Sequence, residues 1–476
     1  MSLSHWEVAL DSGAVRGRVS DDVAVFHAIP YAAAPQGPGR FAAPQPPARW
    51  PDVRDATVPG PTAPQPQRGA FGELDMSPYF GSGWVPGEEY LSVDVWTPAG
   101  RHADLPVMVF VHGGGFSAGS TRSPLYDGTA FARDGVVLVT VNYRLNVAGF
   151  LHLPDAPDNR GLLDVLAALR WVSRNITAFG GDPTNVTVFG QSAGATLIAA
   201  LLADPRVDGL VRRAILQSGS GTGAFSRNQA KLVTRQLALR LGVPGTATAL
   251  AAMSDADLVS ACSALAGLDL TVDGTPDPLM GLSPFSVVAD EQPAAALARG
   301  RAEGVDLLLG TNSDEGRLYV ISGATTWKDV HDTAAMMSPE PAKTVAAHRQ
   351  TRPDASAREI RAALLTEGLF GSGTRALARA HPPHNTYRYE FTWQSSELGA
   401  AHVMELPFVF DLPHLPTLSG HGKLFGTAVP PPDLARRMHG AWVRFAMTGA
   451  PGWPAYGEHG VGMRIGDTWQ EATDSA

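Results

Sequence analysis

Two apolar runs stand out when the chain is read for hydrophobic spacing. Pro106-Val-Met-Val-Phe-Val-His112 and Val136-Val-Leu-Val-Thr-Val-Asn142 are near-continuous apolar runs rich in β-branched residues, with Thr140 their one internal polar position. Such runs suit strands covered on both faces, as in a parallel sheet. Leu162 to Asn175 then places apolar residues at 162, 165, 166, 169 and 172, the spacing of one helix face. Val186 to Phe189, Ala214 to Leu216 and Val305 to Leu309 repeat the strand pattern, and Ala193 to Ala203 reads as an apolar helix. Asp433 to Thr448 reads as a helix closed by Gly449 and Pro451. Upstream, Trp6 to Leu10, Val15 to Arg18 and Ala24 to Ile29 are short strand candidates, followed by a Pro-rich crossing from Pro30 to Pro66. Residues 67 to 88 lack periodicity and read as a long surface loop, a length that is usually functional or disordered. Alternation of strand and helix predicts a doubly wound, mostly parallel α/β sheet. No domain boundary, repeat or low-complexity tract interrupts it, so residues 1–476 are expected to form one domain, with helical cap insertions over about 229–380.

Composition narrows the function classes. A net charge of −9 argues against nucleic-acid binding, which needs clustered Lys and Arg. No apolar run approaches the roughly 18 residues of a membrane span. The start lacks the basic and apolar regions of a signal peptide, and the single cysteine, Cys262, cannot form an internal disulfide. A cytoplasmic location is therefore expected. Gly219 to Ala224 fits a loose dinucleotide pattern, but no acidic residue follows at the ribose spacing. His381-Pro-Pro-His384 matches no metal motif, so neither cofactor nor metal is called for.

The pattern G-x-S-x-G occurs twice, at Gly115-Phe-Ser117-Ala-Gly119 and Gly190-Gln-Ser192-Ala-Gly194. A serine nucleophile needs a strand, a sharp turn and a helix, which together lift its hydroxyl out of the sheet edge. Ser192 has Val-Thr-Val-Phe before it and an apolar helix after it. Ser117 leads through Ala-Gly into Ser-Thr-Arg-Ser-Pro, which starts no helix. His112-Gly-Gly-Gly-Phe116 directly follows a strand, and glycines let backbone N–H groups approach a substrate without Cβ obstruction. Gly114, Gly115 and Ala193 are the expected oxyanion donors. Phe116 and Gln191, beside them, are expected to contact substrate. A histidine base and an orienting carboxylate must complete the set. The order Ser, acid, His places both downstream of Ser192, without choosing among the candidates there.

The chain resembles the type B carboxylesterase/lipase family, which includes para-nitrobenzyl esterases and cholinesterases. The likeness lies in Phe26 to Tyr31 with Arg40, Phe41 and Trp50, in Glu88 to Pro98, in Val141 to Leu145 and in Phe179 to Pro183. It continues through Trp442 to Tyr456 and so spans nearly the whole chain. The resemblance implies an α/β-hydrolase fold and a carboxylesterase acting on a small-molecule ester, as a monomer or homodimer. It also implies His402, in Gly399-Ala-Ala-His-Val-Met-Glu-Leu-Pro, as the base and Glu315, in Gly310-Thr-Asn-Ser-Asp-Glu-Gly316, as the acid. By residue type alone His112, His414 and His439, or Asp314 and Asp290, compete. Three positions depart from the family pattern. Gln191 replaces a frequent glutamate. Tyr90 stands where many relatives have a disulfide cysteine, which predicts a mobile loop over 66–89. Leu197 replaces a small hydroxyl residue and removes one hydrogen bond near the triad. Phe71, Tyr79, Phe80 and Trp84 either line a pocket or anchor that loop. Two other functions fit the fold: a catalytically silent cholinesterase-like binding protein, and a hydrolase of carbamates, amides or lactones.

Overall fold

The computed structural model describes residues 4–473. One large sheet carries the architecture. Its strands are β1 (Ser4–Ala9), β2 (Ala14–Ser20), β3 (Val23–Pro30), β4 (Ser92–Pro98), β5 (Leu105–Val111), β6 (Val137–Val141), β7 (Gly181–Gln191), β8 (Arg213–Gln217), β9 (Asp306–Asn312), β10 (Thr386–Phe391), β11 (Val461–Ile465) and β12 (Trp469–Thr473). They lie in the order β1-β2-β3-β4-β6-β5-β7-β8-β9-β10-β11-β12, with the two-residue strand Arg54–Asp55 beside β2. From β6 to β11 every pairing is parallel. The antiparallel pairings lie toward the margins, β1 to β6 on one side and β11 with β12 on the other.

The unbroken apolar runs have a simple cause. Successive side chains of a strand point to opposite faces. Val107, Val109 and Val111 enter one buried cluster, together with α1 (Arg160–Asn175) and α2 (Ala193–Ala203). Met108 and Phe110 enter the other, against α3 (Leu434–Thr448) through Met438, Trp442 and Phe445. Both faces of β5 are dry, so no polar alternation survives in its sequence. Burying each such side chain stabilises the fold by roughly 1.5–3 kcal/mol.

Parallel strands bring their C-terminal ends to one edge, where the connections can meet. Between β8 and β9, and again between β9 and β10, the chain makes two helical excursions. These include Arg227–Leu241 and Asp255–Ser263 in the first, and Trp327–Met337, Ala357–Thr366 and Ser372–Ala380 in the second. The helical material expected over 229–380 is thus split by a core strand.

The stretch read as a featureless surface loop, 67–88, is built differently. It holds a short hairpin, Ala70–Phe71 against Leu74–Asp75, then a single helical turn, Ser77–Phe80. Leu74, Met76, Tyr79 and Phe80 are buried in the second apolar cluster. Its elements are two to four residues long, too short to show any period, but their apolar side chains still find the core. Hydrogen bonds tie it down where no disulfide does: Thr62 Oγ1 donates to the Gly83 carbonyl at 2.9 Å, and Val85 N–H donates to Thr62 Oγ1 at 2.8 Å. Tyr90 is itself buried in the first cluster. No described helix is long and apolar enough to cross a membrane.

Candidate active site

β7 ends at Gln191 and α2 begins at Ala193, so Ser192 is the whole turn between them. Its φ of 57° and ψ of −124° are a backbone state that costs a non-glycine residue roughly 1–3 kcal/mol. The surroundings hold it there. Ser192 N–H donates to the Gln217 carbonyl on β8 at 2.8 Å. Gly194 lies so close to β5 that a Cβ would sit 2.0 Å from the Val111 carbonyl oxygen. The second motif serine, Ser117, is not followed directly by a helix, and its hydroxyl donates to the Gly115 carbonyl at 3.1 Å.

Ser192 Oγ stands 2.9 Å from His402 Nε2, and His402 Nδ1 stands 2.5 Å from Glu315 Oε2. A proton on Nδ1, donated to the carboxylate, leaves Nε2 as acceptor for the serine hydroxyl. The other oxygen, Glu315 Oε1, accepts the Asn312 N–H at 2.8 Å and the Ser218 hydroxyl at 2.5 Å. His402 N–H reaches the Glu315 carbonyl at 3.3 Å, and the Phe370 ring stacks on the imidazole at 4.4 Å. Glu315 is fully buried. The three residues come from 192, 315 and 402, and the connections after β7, β9 and β10 bring them into one file.

The competing residues are engaged elsewhere. His112 is buried with Nδ1 2.8 Å from the Gly113 carbonyl and its ring stacked on Tyr143, and burial pulls its pKa down to about 4. His439 Nδ1 lies 2.8 Å from the Val409 carbonyl, and His414 is exposed. Asp314 faces Gln394 and Arg317, and Asp290 pairs with Arg227. Leu197 is a core residue, and the hydroxyl on Glu315 comes instead from Ser218.

Behind the serine sits a polar layer, of which the sequence marks Gln191 and Tyr79 but not Glu405. Gln191 Oε1 accepts the Tyr79 hydroxyl at 2.9 Å, while its Nε2 lies 3.2 Å from His402 Nε2. Gln191 is fully buried and is not part of the cavity wall, so the expected substrate contact is replaced by a contact with the imidazole. Glu405 is also fully buried. It accepts Gln217 Nε2 at 3.1 Å and Asn312 Nδ2 at 2.8 Å. Burial, then repulsion from Glu315, pushes its pKa up to about 7 against the pull of Asn312.

In front of the serine is a cavity of about 330 Å³. Gly114, Gly115 and Ala193 all border it, together with Ser192 and His402. Gly114 has φ of +114°, and a Cβ there would meet the Ala118 carbonyl at 2.0 Å, so only glycine fits. The N–H groups of Gly114 and Gly115 donate to no acceptor among the described residues. Ala193 opens α2, where N–H groups have no intrahelical partner. Serine hydroxyls from Ser283 at 2.7 Å and from Ser117 hold the Gly115 carbonyl from the other side. The walls are chiefly apolar. Phe71, Tyr79 and Phe80 line the cavity with Phe116, Leu318 and Phe370, whereas Trp84 does not reach it. Such a site can activate a hydroxyl, shield an acyl group from water and receive a developing negative charge. Among the described residues no group of three His, Cys, Asp or Glu could hold a metal ion.

Comparison with known proteins agrees over the full length. The model of the carboxylesterase family matches residues 4–475. Para-nitrobenzyl esterase of Bacillus subtilis (strain 168) is 36% identical over 482 residues, covering 96% of this chain and 94% of that one. Fumonisin B1 esterase of Sphingopyxis macrogoltabida is 34% identical over 480 residues, covering 96% of this chain and 85% of that one. The solved carboxylesterase of Geobacillus stearothermophilus superposes with a TM-score of 0.85 at 35% identity, covering 98% of each chain. That fold is the α/β-hydrolase fold, and the chain described here belongs to the carboxylesterase family.

Proposed function

We propose that this protein is a serine carboxylesterase that works through an acyl-enzyme. Ser192 Oγ attacks the ester carbonyl carbon while His402 Nε2 takes its proton. Glu315 holds the imidazole in orientation and offsets its positive charge. The carbonyl oxygen becomes negative and lies against the N–H groups of Gly114, Gly115 and Ala193, each such donor being worth roughly 10²–10³ in rate. His402 returns the proton to the alkoxide, the alcohol leaves, and Ser192 carries the acyl group as an ester. Water then enters, loses a proton to His402, and the same sequence releases the acid and the free serine.

The observation that carries the reading is the hydrogen-bonded file of Ser192, His402 and Glu315 at 2.9 and 2.5 Å, opening onto an apolar cavity. Apolar walls favour uncharged hydrocarbon on at least one half of the ester, with kcat/KM rising with chain length until the cavity is full. The absence of an internal disulfide, with Cys262 buried, accords with a reducing, cytoplasmic setting, which cell fractionation would test. The reaction is tested by exposing wild type and Ser192→Ala to a p-nitrophenyl ester and a fluorophosphonate. Wild type should turn over the first and be labelled by the second, and the variant should do neither. Undiminished labelling of Ser192→Ala would remove Ser192 as the nucleophile.

A further inference from the structure

Two guanidinium groups deep in the core, those of Arg144 and Arg160, are fully engaged. Arg144 meets Asp164 through two nitrogens, at 2.7 and 2.8 Å, with both side chains fully buried. Arg160 donates to four carbonyls, those of Val147, Ala148, Leu151 and Pro157. Arg68 differs. It is half-buried on the cavity wall, and among the described residues it makes no hydrogen bond and no ion pair. The groups that bear on it electrostatically are the hydroxyls of Tyr79 and Tyr319, and desolvation pulls its pKa below that of an ordinary arginine.

Its position is specific. Arg68 Nη1 lies 4.0 Å from the point a Cβ on Gly115 would occupy, so the cation stands beside the amides that face the ester carbonyl. Among the described residues no acidic side chain lines this cavity, and apart from His402 its lining carries no other ionisable cation. A guanidinium taken partly out of water without a partner is a cost of folding, and a ligand carboxylate is the group that offsets it. In apolar surroundings the attraction is stronger than in water.

Resting on the esterase reading above, we propose that the substrates of this site are esters carrying a second, ionised carboxylate close to the scissile bond, with Arg68 as its partner. The carboxylate sits on the acyl half or on the alcohol half, separated from the ester carbonyl by a short spacer. Its two oxygens take the fork of N–H groups on Arg68, while the hydrocarbon between lies on Phe71, Leu318 and the other apolar walls.

Two matched pairs test this. Monoethyl glutarate against diethyl glutarate places the charge on the acyl half, and 4-acetoxybenzoate against its methyl ester places it on the alcohol half. Each kcat/KM is divided by that ester's rate with hydroxide. In at least one pair the anion should be preferred by wild type, and Arg68→Gln should reduce that anion-to-neutral ratio roughly ten- to a hundredfold. Arg68→Lys should keep part of the preference. Independently of any variant, 4-phenylbutyrate should inhibit diethyl glutarate turnover at least tenfold more tightly than 4-phenylbutanol. Wild-type ratios at or below one in both pairs, ratios unmoved in Arg68→Gln, or equal inhibition by the acid and the alcohol would each overturn the proposal. The four esters together keep the two readings apart: turnover with an unmoved ratio removes this inference alone, and failure of all four in wild type removes the esterase reading and this inference with it.

Discussion

Two turns in this molecule are written with the same five-letter pattern and do opposite things. At Gly115 to Gly119 the serine side chain folds back onto a backbone carbonyl, and the Gly115 amide, with that of Gly114 just before it, is left facing the cavity. At Gly190 to Gly194 the backbone is closed onto β8 and β5, and the serine side chain is what projects. The glycines permit a tight turn in both, but the elements on either side decide what the turn presents. A strand from the middle of a parallel sheet running into a buried helix presents a side chain, with the first amide of the helix, Ala193, beside it. A strand running into a loop with no helix presents main-chain donors. The motif is therefore a statement about backbone room, and the chemistry follows from topology.

Substitutions can break this contrast or sharpen it. The widest gap is expected between Ser192→Ala and Ser117→Ala: kcat should fall roughly 10⁴- to 10⁶-fold in the first, and stay within about threefold of wild type in the second. Steady-state turnover of one neutral ester measures both, and comparable losses would dissolve the distinction between the turns. Glu315→Gln keeps the shape but not the charge behind His402, a partner that only the second turn has. A loss of roughly 10²- to 10⁴-fold in kcat is expected, read in the same assay. Glu405 makes the second turn pH-sensitive in stability. Its folded pKa, about 7, lies above the ordinary 4.5, so the folded protein keeps a proton that the unfolded chain releases. The stability from this group is complete below about pH 4.5 and is lost as pH rises through 7, by roughly 3 kcal/mol in all. Urea midpoints from pH 5 to 8 should slope downward in wild type and be flatter in Glu405→Gln. Last, Gln191→Glu sets a carboxylate beside His402 and favours the imidazolium. The acid limb of the kcat/KM profile should then move up by roughly one pH unit, whereas Phe116, at the same place in the first turn, has no such neighbour.

The central strands were legible because both their faces are buried, which leaves long apolar runs. β10 (Thr386–Phe391), β11 and β12 carry no such run: Thr-Tyr-Arg-Tyr-Glu-Phe alternates polar and aromatic residues over only six positions, a far weaker signal than an unbroken apolar stretch. Ser192 and the triple glycine could be read from local context. His402 and Glu315 could not be chosen that way, since nothing within a few residues of either records what the fold brings against it; family likeness chose them. Glu405 sits three residues after His402 in the same stretch, and its partners, Gln217 and Asn312, are distant in sequence. Arg68 lay in a segment with no periodicity at all. Its one local mark is that a lone cation beside small and aromatic residues, Arg68-Gly-Ala-Phe71, has no acidic neighbour in sequence until Glu73.

Ser192, Ser218, Phe116 and Val403 all hold left-handed backbone, with φ of 57°, 52°, 60° and 73°. None is glycine, and all four border the cavity or bond to the relay. Conformations of this kind last only while the surrounding scaffold enforces them. On gentle heating the proposed catalytic centre should therefore relax before the sheet melts, and hydrolysis should fail at a lower temperature than the one at which the sheet is lost.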